Sequence, residues 1–259
     1  MPIIYEPKGR AREYSPYALN IYLSCSHECR YCYAPRIMRS GERYFKKPEP
    51  RKNICSRLYE ELDRNPPKKQ VLLSFIGDPY CDALDDNIAT GICLSLLLAY
   101  GVPTAILSKG GRRTLKDVDT FKLFGEHIQV GTTLTFDNDE DSLEWERGAA
   151  PISERIEVLK ELHSLGIKTF ASIEPVIYPE QSINAIKQTL DCVDTYKVGK
   201  LNNYKLDEKP DYESFLDSVV GVLRGANKDF YVKKDLRDVA PKIALSDREK
   251  DADAHCVTW

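Results

Sequence analysis

No apolar run in this chain of 259 residues approaches the length of a membrane span, and the opening MPIIYEPKGR has no signal-peptide core. These absences point to a cytoplasmic protein without membrane attachment. A basic excess is missing too. The formal net charge is -3, which excludes a global pull on nucleic acid and leaves any polyanion contact to a local basic patch. No segment repeats another, and nothing resembles a linker before Ser246. What is present suits a packed core: 42% hydrophobic and 30% charged residues exclude global disorder. In a reducing compartment, the eight cysteines are ligands or buried thiols rather than disulfides.

Apolar runs of strand length alternate with runs of helical period. Ala18 to Leu23, Val71 to Ile76, Thr104 to Leu107, Ile128 to Leu134, Thr169 to Ile173, Thr195 to Val198 and Phe230 to Val232 read as strands. Helices are expected over Ile54 to Leu62, Asn87 to Tyr100, Leu115 to Phe124, Ile152 to Leu165, Ile183 to Leu190 and Tyr212 to Leu223. The clearest of these places Ile152, Ile156, Leu159, Leu162 and Leu165 on one face, with Pro151 before it and Gly166 after it. Six or seven strand–helix units imply an α/β chain with a parallel sheet, curled by right-handed crossovers into a barrel or part of one. The expected organisation is one core domain over residues 1–245 and a charged, mobile tail over 246–259.

Cys25, Cys29 and Cys32 are spaced Cys-x3-Cys-x2-Cys in the loop 24–34, with Tyr31 before the last of them. Three thiolates so close can hold one metal cluster, yet they fall one short of a closed four-thiolate site and leave one iron open. The competing reading is a structural site, either iron–sulfur or a zinc ion on the three cysteines and His27. Structural zinc usually takes separated ligand pairs, whereas His27 is too crowded to close the same tetrahedron.

The cysteine spacing resembles the cluster loop of the radical S-adenosylmethionine (SAM) enzymes. Tyr17 to Tyr22, Cys25 to Pro35, Ser74 to Tyr80, Leu107-Ser108-Lys109, Val130 to Thr135, Ala150-Pro151-Ile152 with Arg155, and Ile173 to Ile177 resemble the spore photolyase-like branch of that superfamily. The resemblance implies a partial (β/α)6 barrel of the TIM type and a 4Fe-4S cluster on Cys25, Cys29 and Cys32. The open iron would take the amine and carboxylate of SAM. It further implies one-electron cleavage of SAM to methionine and a 5′-deoxyadenosyl radical, with electrons from an external flavodoxin- or ferredoxin-type donor. Strand ends carry the sites of such barrels. On that basis Tyr31 would pack on adenine, and Gly77 and Asp78 would receive the methionyl amine. Lys109 and Ser108 would hold the carboxylate, one of Thr132 and Thr133 would offer a hydroxyl, and Glu174 would contact SAM or substrate. Lys197, Lys200, Asn202, Lys233 and Lys234 are weaker candidates for a substrate pocket.

Absences narrow the reaction as well. Only 24 residues precede Cys25, which leaves no room for a leader-peptide domain in this sequence, and Cys192 and Cys256 are too isolated to form a second cluster. In the repair enzymes of the branch, a hydrogen-donating cysteine precedes the acidic second-strand exit. Phe75-Ile76-Gly77 stands there, so DNA-lesion lyase activity is not expected, and Cys81, three residues beyond Asp78, becomes the candidate catalytic thiol. Lys8, Arg10 and Arg12, and the run Lys46-Lys47 to Arg51-Lys52, are candidate phosphate contacts. The expected substrate is an unidentified organic molecule, with a nucleobase, nucleotide or nucleic acid as the runner-up within that class.

Overall fold

The computed structural model describes residues 2–45, 48–81 and 88–259; Lys46-Lys47 and the first residue expected in the second helix, Asn87, lie outside the described residues. One sheet of eight strands holds the chain together in sequence order: β1 (Ile4–Tyr5), β2 (Tyr17–Leu19), β3 (Val71–Leu73), β4 (Thr104–Leu107), β5 (Ile128–Thr133), β6 (Lys168–Ile173), β7 (Thr195–Val198) and β8 (Asp229–Val232). Only β1 is antiparallel; β2 to β8 run parallel, each paired with the next. Every strand of the parallel set therefore delivers its C-terminal end to the same side, where sites of such sheets form. The partial barrel is as expected, with a seventh parallel strand, β8, added to six.

The helices bury their apolar stripes on the outer face. α2 (Ile54–Arg64), α3 (Ile88–Ala99) and α4 (Val118–Phe124) share one core with β3 to β5. α6 (Ile152–Ser164), α7 (Pro179–Lys187) and α8 (Tyr212–Gly225) share a second with β6 to β8. Leu58, Leu94, Phe121, Leu159 and Leu216 are each at most 1% exposed, a burial worth roughly 1.5–3 kcal/mol per side chain. Inside the sheet's curve, Leu72, Ala105 and Phe170 meet Tyr14 and Phe75. Gly131 makes room there, because a Cβ on it would overlap the Phe170 ring.

Short elements complete the chain: α1 (Ala34–Ile37) after the cysteine loop, α5 (Asp139–Trp145), α9 (Lys234–Arg237) and α10 (Asp247–Lys250). The N-terminal arm ties the start of β3 to β8, at the far edge of the sheet. Ser15 Oγ donates to the Gln70 carbonyl before β3, while Glu13 Oε1 accepts from Tyr231 of β8 at 2.6 Å and from the Lys234 amide at 2.7 Å. The tail, expected as a mobile stretch, is tied down. Ser246 and Glu249 form a capping box. Val257 N donates to Gln70 Oε1 at 2.9 Å, and Trp259 stacks on His127 at 4.2 Å. Both partners precede strands, so the tail closes the end opposite the cysteine loop.

Candidate active site

Strand exits of β2 to β8 line a cavity of about 380 Å³. Cys25, Cys29 and Cys32 face it, together with Tyr31, Gly77, Asp78, Ser108, Lys109, Thr133 and Glu174. Nearly all the residues expected from the sequence thus meet in one place. Two do not. Thr132 turns away and donates to the Ser108 carbonyl at 2.6 Å, as strand alternation requires once Thr133 faces inward. Cys81 is 0% exposed and absent from the lining, with Sγ 3.7 Å from Cys25 Sγ and 2.9 Å from the Asp78 carbonyl. It sits behind Cys25 rather than on the cavity lining, where a catalytic thiol was expected. Of the weaker candidates, Lys200, Asn202 and Lys233 line the cavity. Lys197 is buried beneath the arm, and Lys234 pairs outside with Asp238.

A strap formed by residues 145–150, between α5 and α6, shapes the cysteine loop. Arg30 N donates to the Trp145 carbonyl and Gly148 N to the His27 carbonyl, each at 2.9 Å, and Cys29 bridges Glu146. A Cβ on Gly148 would overlap the Ser26 carbonyl, so the close approach requires glycine. His27 is enclosed between the two layers, with Nδ1 2.8 Å from the Gly148 carbonyl and Nε2 3.0 Å from Asp78 Oδ2. The donor atoms of Cys25, His27 and Cys81 lie within 4.8 Å of one another, but both ring nitrogens of His27 are engaged elsewhere. His27 lines the cavity too, but with its ring nitrogens against the Gly148 carbonyl and Asp78, the ligands left to offer are the thiols of Cys25, Cys29 and Cys32. All eight cysteines are free thiols. This donor set fits an iron–sulfur cluster with one iron left open, and does not fit a zinc site that includes His27.

Asp78 anchors the cavity floor. Its Oδ1 accepts from Tyr80 N (2.8 Å) and Ser108 Oγ (2.7 Å); its Oδ2 accepts from Lys109 N (2.7 Å) and faces His27. Burial alone would raise this carboxyl, but facing His27 and these donors hold it below its ordinary value. Burial would likewise depress His27, yet Cys25 and Asp78 outweigh it and raise the imidazole. A hydrogen bond from Cys81 leads the causes that lower Cys25 to about 6, against its burial. Asp78 thus takes three donors from within the protein while lining the cavity, and it anchors the backbone at the exit of β4.

The sequence reading missed a second buried carboxylate. Glu146 is 0% exposed and pairs with the equally buried Arg155 at 2.6 Å. It also accepts from the Tyr31 hydroxyl and lies 3.8 Å from Lys109 Nζ. Burial raises its carboxyl, with Arg155 opposing. Tyr31 and Lys109 are thereby fixed against each other, Lys109 Nζ standing 5.6 Å from the Tyr31 ring centre. The available signal was Arg155 itself, a charge on the apolar stripe of α6 between Ile152 and Leu159.

The opposite wall comes from β6 to β8 and the arm. Glu174 Oε2 accepts from Lys233 Nζ at 2.6 Å and from the Tyr14 hydroxyl at 2.9 Å. Tyr14 also meets Ser172 Oγ at 2.6 Å, and Lys233 Nζ lies 4.5 Å from its ring centre. Nothing in the sequence marked Tyr14, which precedes every strand of the parallel set and enters through the arm.

Comparison with known proteins agrees with this geometry. A profile of the radical SAM superfamily matches residues 19–193. Uncharacterized protein MJ0683 of Methanocaldococcus jannaschii is 32% identical over 165 residues, which are 62% of this chain and 60% of that protein. Uncharacterized protein ORF301 of Acidianus two-tailed virus is 24% identical over 202 residues, 73% of this chain and 65% of that one. The chain therefore spans somewhat less than two thirds of these relatives. Among solved structures, spore photoproduct lyase complexed with dinucleoside spore photoproduct superposes with a TM-score of 0.65 at 11% identity, covering 88% of this chain and 79% of that one. SuiB of Streptococcus suis bound to S-adenosylmethionine gives 0.62 at 16% identity, covering 88% and 53%. At such identities the likeness is one of fold.

Proposed function

The chain belongs to the radical SAM superfamily, whose members are enzymes, and from that premise we propose that it uses a 4Fe-4S cluster and SAM to abstract hydrogen from an organic substrate held against the β6–β8 wall. The observation that carries this reading is the placement of Cys25, Cys29 and Cys32 on one side of a single cavity whose other walls are strand exits. When bound, the cluster and SAM supply one-electron cleavage to methionine and a 5′-deoxyadenosyl radical, the electron coming from a flavodoxin- or ferredoxin-type donor.

The protein's share is orientation. Cys25, Cys29 and Cys32 hold the cluster. Tyr31, fixed through its hydroxyl by Glu146, presents its ring to adenine. Lys109 Nζ, kept near that ring, offers its charge to the methionyl carboxylate, and Thr133 adds a hydroxyl. Ser108 and Asp78 fix the backbone that carries Lys109. Gly77, at φ 74 and with no space for a Cβ beside Tyr22 and Ser24, brings bare backbone to the cavity. Glu174, Lys233, Tyr14 and Asn202 make the polar wall for the substrate.

Anaerobic reconstitution tests this directly. The expected result is about four irons per chain and release of 5′-deoxyadenosine once SAM and dithionite are added. A protein that takes only zinc, or that binds iron without cleaving SAM, overturns the reading in favour of a structural metal site.

A further inference from the structure

We propose that the substrate brought to this cavity carries a phosphate group, held at the rim by Lys8, Arg10, Arg36 and Lys200. The inference rests on the cavity being the radical site and adds the chemical class of the molecule that enters it.

The chain as a whole is slightly acidic, at -3. The cavity inverts that balance: among the described lining residues, Lys8, Arg10, Arg36, Lys109, Lys200 and Lys233 face only two carboxylates, Asp78 and Glu174. The deep groups are matched. Lys233 pairs with Glu174, Lys109 with Glu146, and Asp78 with His27. The four remaining cations belong to the rim, and three separate segments supply them: the arm, α1 and the exit of β7.

Neutral partners hold Arg36 and Lys200 without cancelling their charge, whereas Arg10 faces a carboxylate and stays partly exposed. Arg36 donates to Asn203 Oδ1. Lys200 Nζ donates to Asn202 Oδ1 at 2.9 Å and to the Leu201 carbonyl at 3.4 Å. Asn202 is in turn oriented by Asp235 through its amide at 2.6 Å. Arg10 is 3.8 Å from that same Asp235, with 45% of its side chain exposed. A neutral amide oxygen orients a cation and leaves its field intact, so the opening carries ordered positive charge. Two guanidiniums and two ammoniums suit the tetrahedral oxygens of a phosphate.

SAM does not account for this rim. Its ammonium and sulfonium outnumber its one carboxylate, so a positive opening repels it, and Lys109 already stands at the depth of Tyr31. Behind the rim, Tyr14, Tyr33 and Phe75 line the cavity with rings. An anionic head at the mouth and a less polar body inside is the shape that this arrangement accepts.

The test is isothermal titration of cluster-loaded, SAM-bound protein with inorganic pyrophosphate, with AMP against adenosine, and with a short oligothymidylate. The expected results are binding of pyrophosphate and AMP that weakens with added sodium chloride, and adenosine weaker than AMP by about tenfold or more. The double variant Arg10→Gln, Arg36→Gln should lose about tenfold or more in AMP affinity while keeping wild-type iron content and melting temperature. AMP bound more tightly than the oligothymidylate assigns the phosphate to a small molecule, and the reverse order to a strand. Equal affinity for AMP and adenosine, no binding of any phosphate probe, or phosphate binding untouched by the double variant overturns the proposal. Failure of SAM cleavage with phosphate binding intact counts instead against the radical reading.

Discussion

Three donors, from its own turn and from the exit of β4, converge on the buried carboxylate of Asp78, which also faces His27 of the cysteine loop. Removing it leaves His27 enclosed without its counter-charge, and truncating one partner of a buried pair costs about 3–5 kcal/mol. Asp78→Ala is therefore expected to lower the urea midpoint and to shed iron; a variant that keeps both would end the anchoring role. Neighbouring threonines separate support from contact. Thr132→Val removes a buried hydrogen bond and should cost about 1 kcal/mol with SAM affinity kept, whereas Thr133→Val should weaken SAM with the fold intact; the reverse pattern would mean that the faces of β5 are misassigned. Lys197 supplies a pH effect. Burial leads the causes that bring its amine from 10.5 to about 8. Between those values the unfolded chain holds a proton that the folded protein has released, so this residue makes stability rise with pH across that window. Lys197→Met should flatten the wild-type rise between about pH 8 and pH 10.5, as read from urea midpoints; an unchanged slope would show that the amine is not depressed.

At the scale of elements, the strap of residues 145–150 and the cysteine loop form one unit. Gly148→Ala puts a methyl group into the Ser26 carbonyl, so it should separate the layers and reduce iron retention. Gly221→Ala, on α8 with nothing within 4 Å of a new Cβ, should instead gain about 0.5–1 kcal/mol. Iron retention unaffected by Gly148→Ala would detach the strap from the cluster. The strap also marks the limit of what the sequence made legible. Long helices with repeating apolar faces, such as α6 and α8, were readable to within a residue or two, because burial follows the helical period. The three cysteines were readable because their spacing is dense and local. By contrast, α5 begins with Asp139, Glu140 and Asp141 and rests on an Asn138 cap rather than on a long apolar stripe, so periodicity is silent there. β2 was expected to continue to Leu23 but ends at Leu19, where Asn20 Oδ1 turns to accept the amides of Phe75 and Ile76. Glu146, buried against Tyr31, and Tyr14, on the cavity wall, are placed by pairings over a hundred residues in separation, which no local pattern encodes.

For the whole molecule, the two ends of the barrel are finished by different parts of the chain. The arm carries Lys8, Arg10 and Tyr14 to the cavity and meets the tail through Arg12 and Asp253 at 2.6 Å. The tail seals the opposite end, where His255 is 2% and Val257 4% exposed, and Gln129 Nε2 donates to the His255 carbonyl at 3.2 Å. Burial decides its worth. An exposed pair such as Arg12–Asp253 contributes about 0–1 kcal/mol, while Val257 alone is worth roughly 1.5–3 kcal/mol, and the stacked His127–Trp259 rings add to it. A chain ending at Ser246 should therefore lose a few kcal/mol, and at about 2–4 °C per kcal/mol for a protein of this size its melting temperature should fall by roughly 10 °C. Its cluster content and SAM cleavage below that temperature should match the full chain, since no tail residue lines the cavity. An unchanged melting temperature would deny the tail its sealing role, and loss of SAM cleavage in the still-folded truncated protein would show that the two ends of the barrel are coupled.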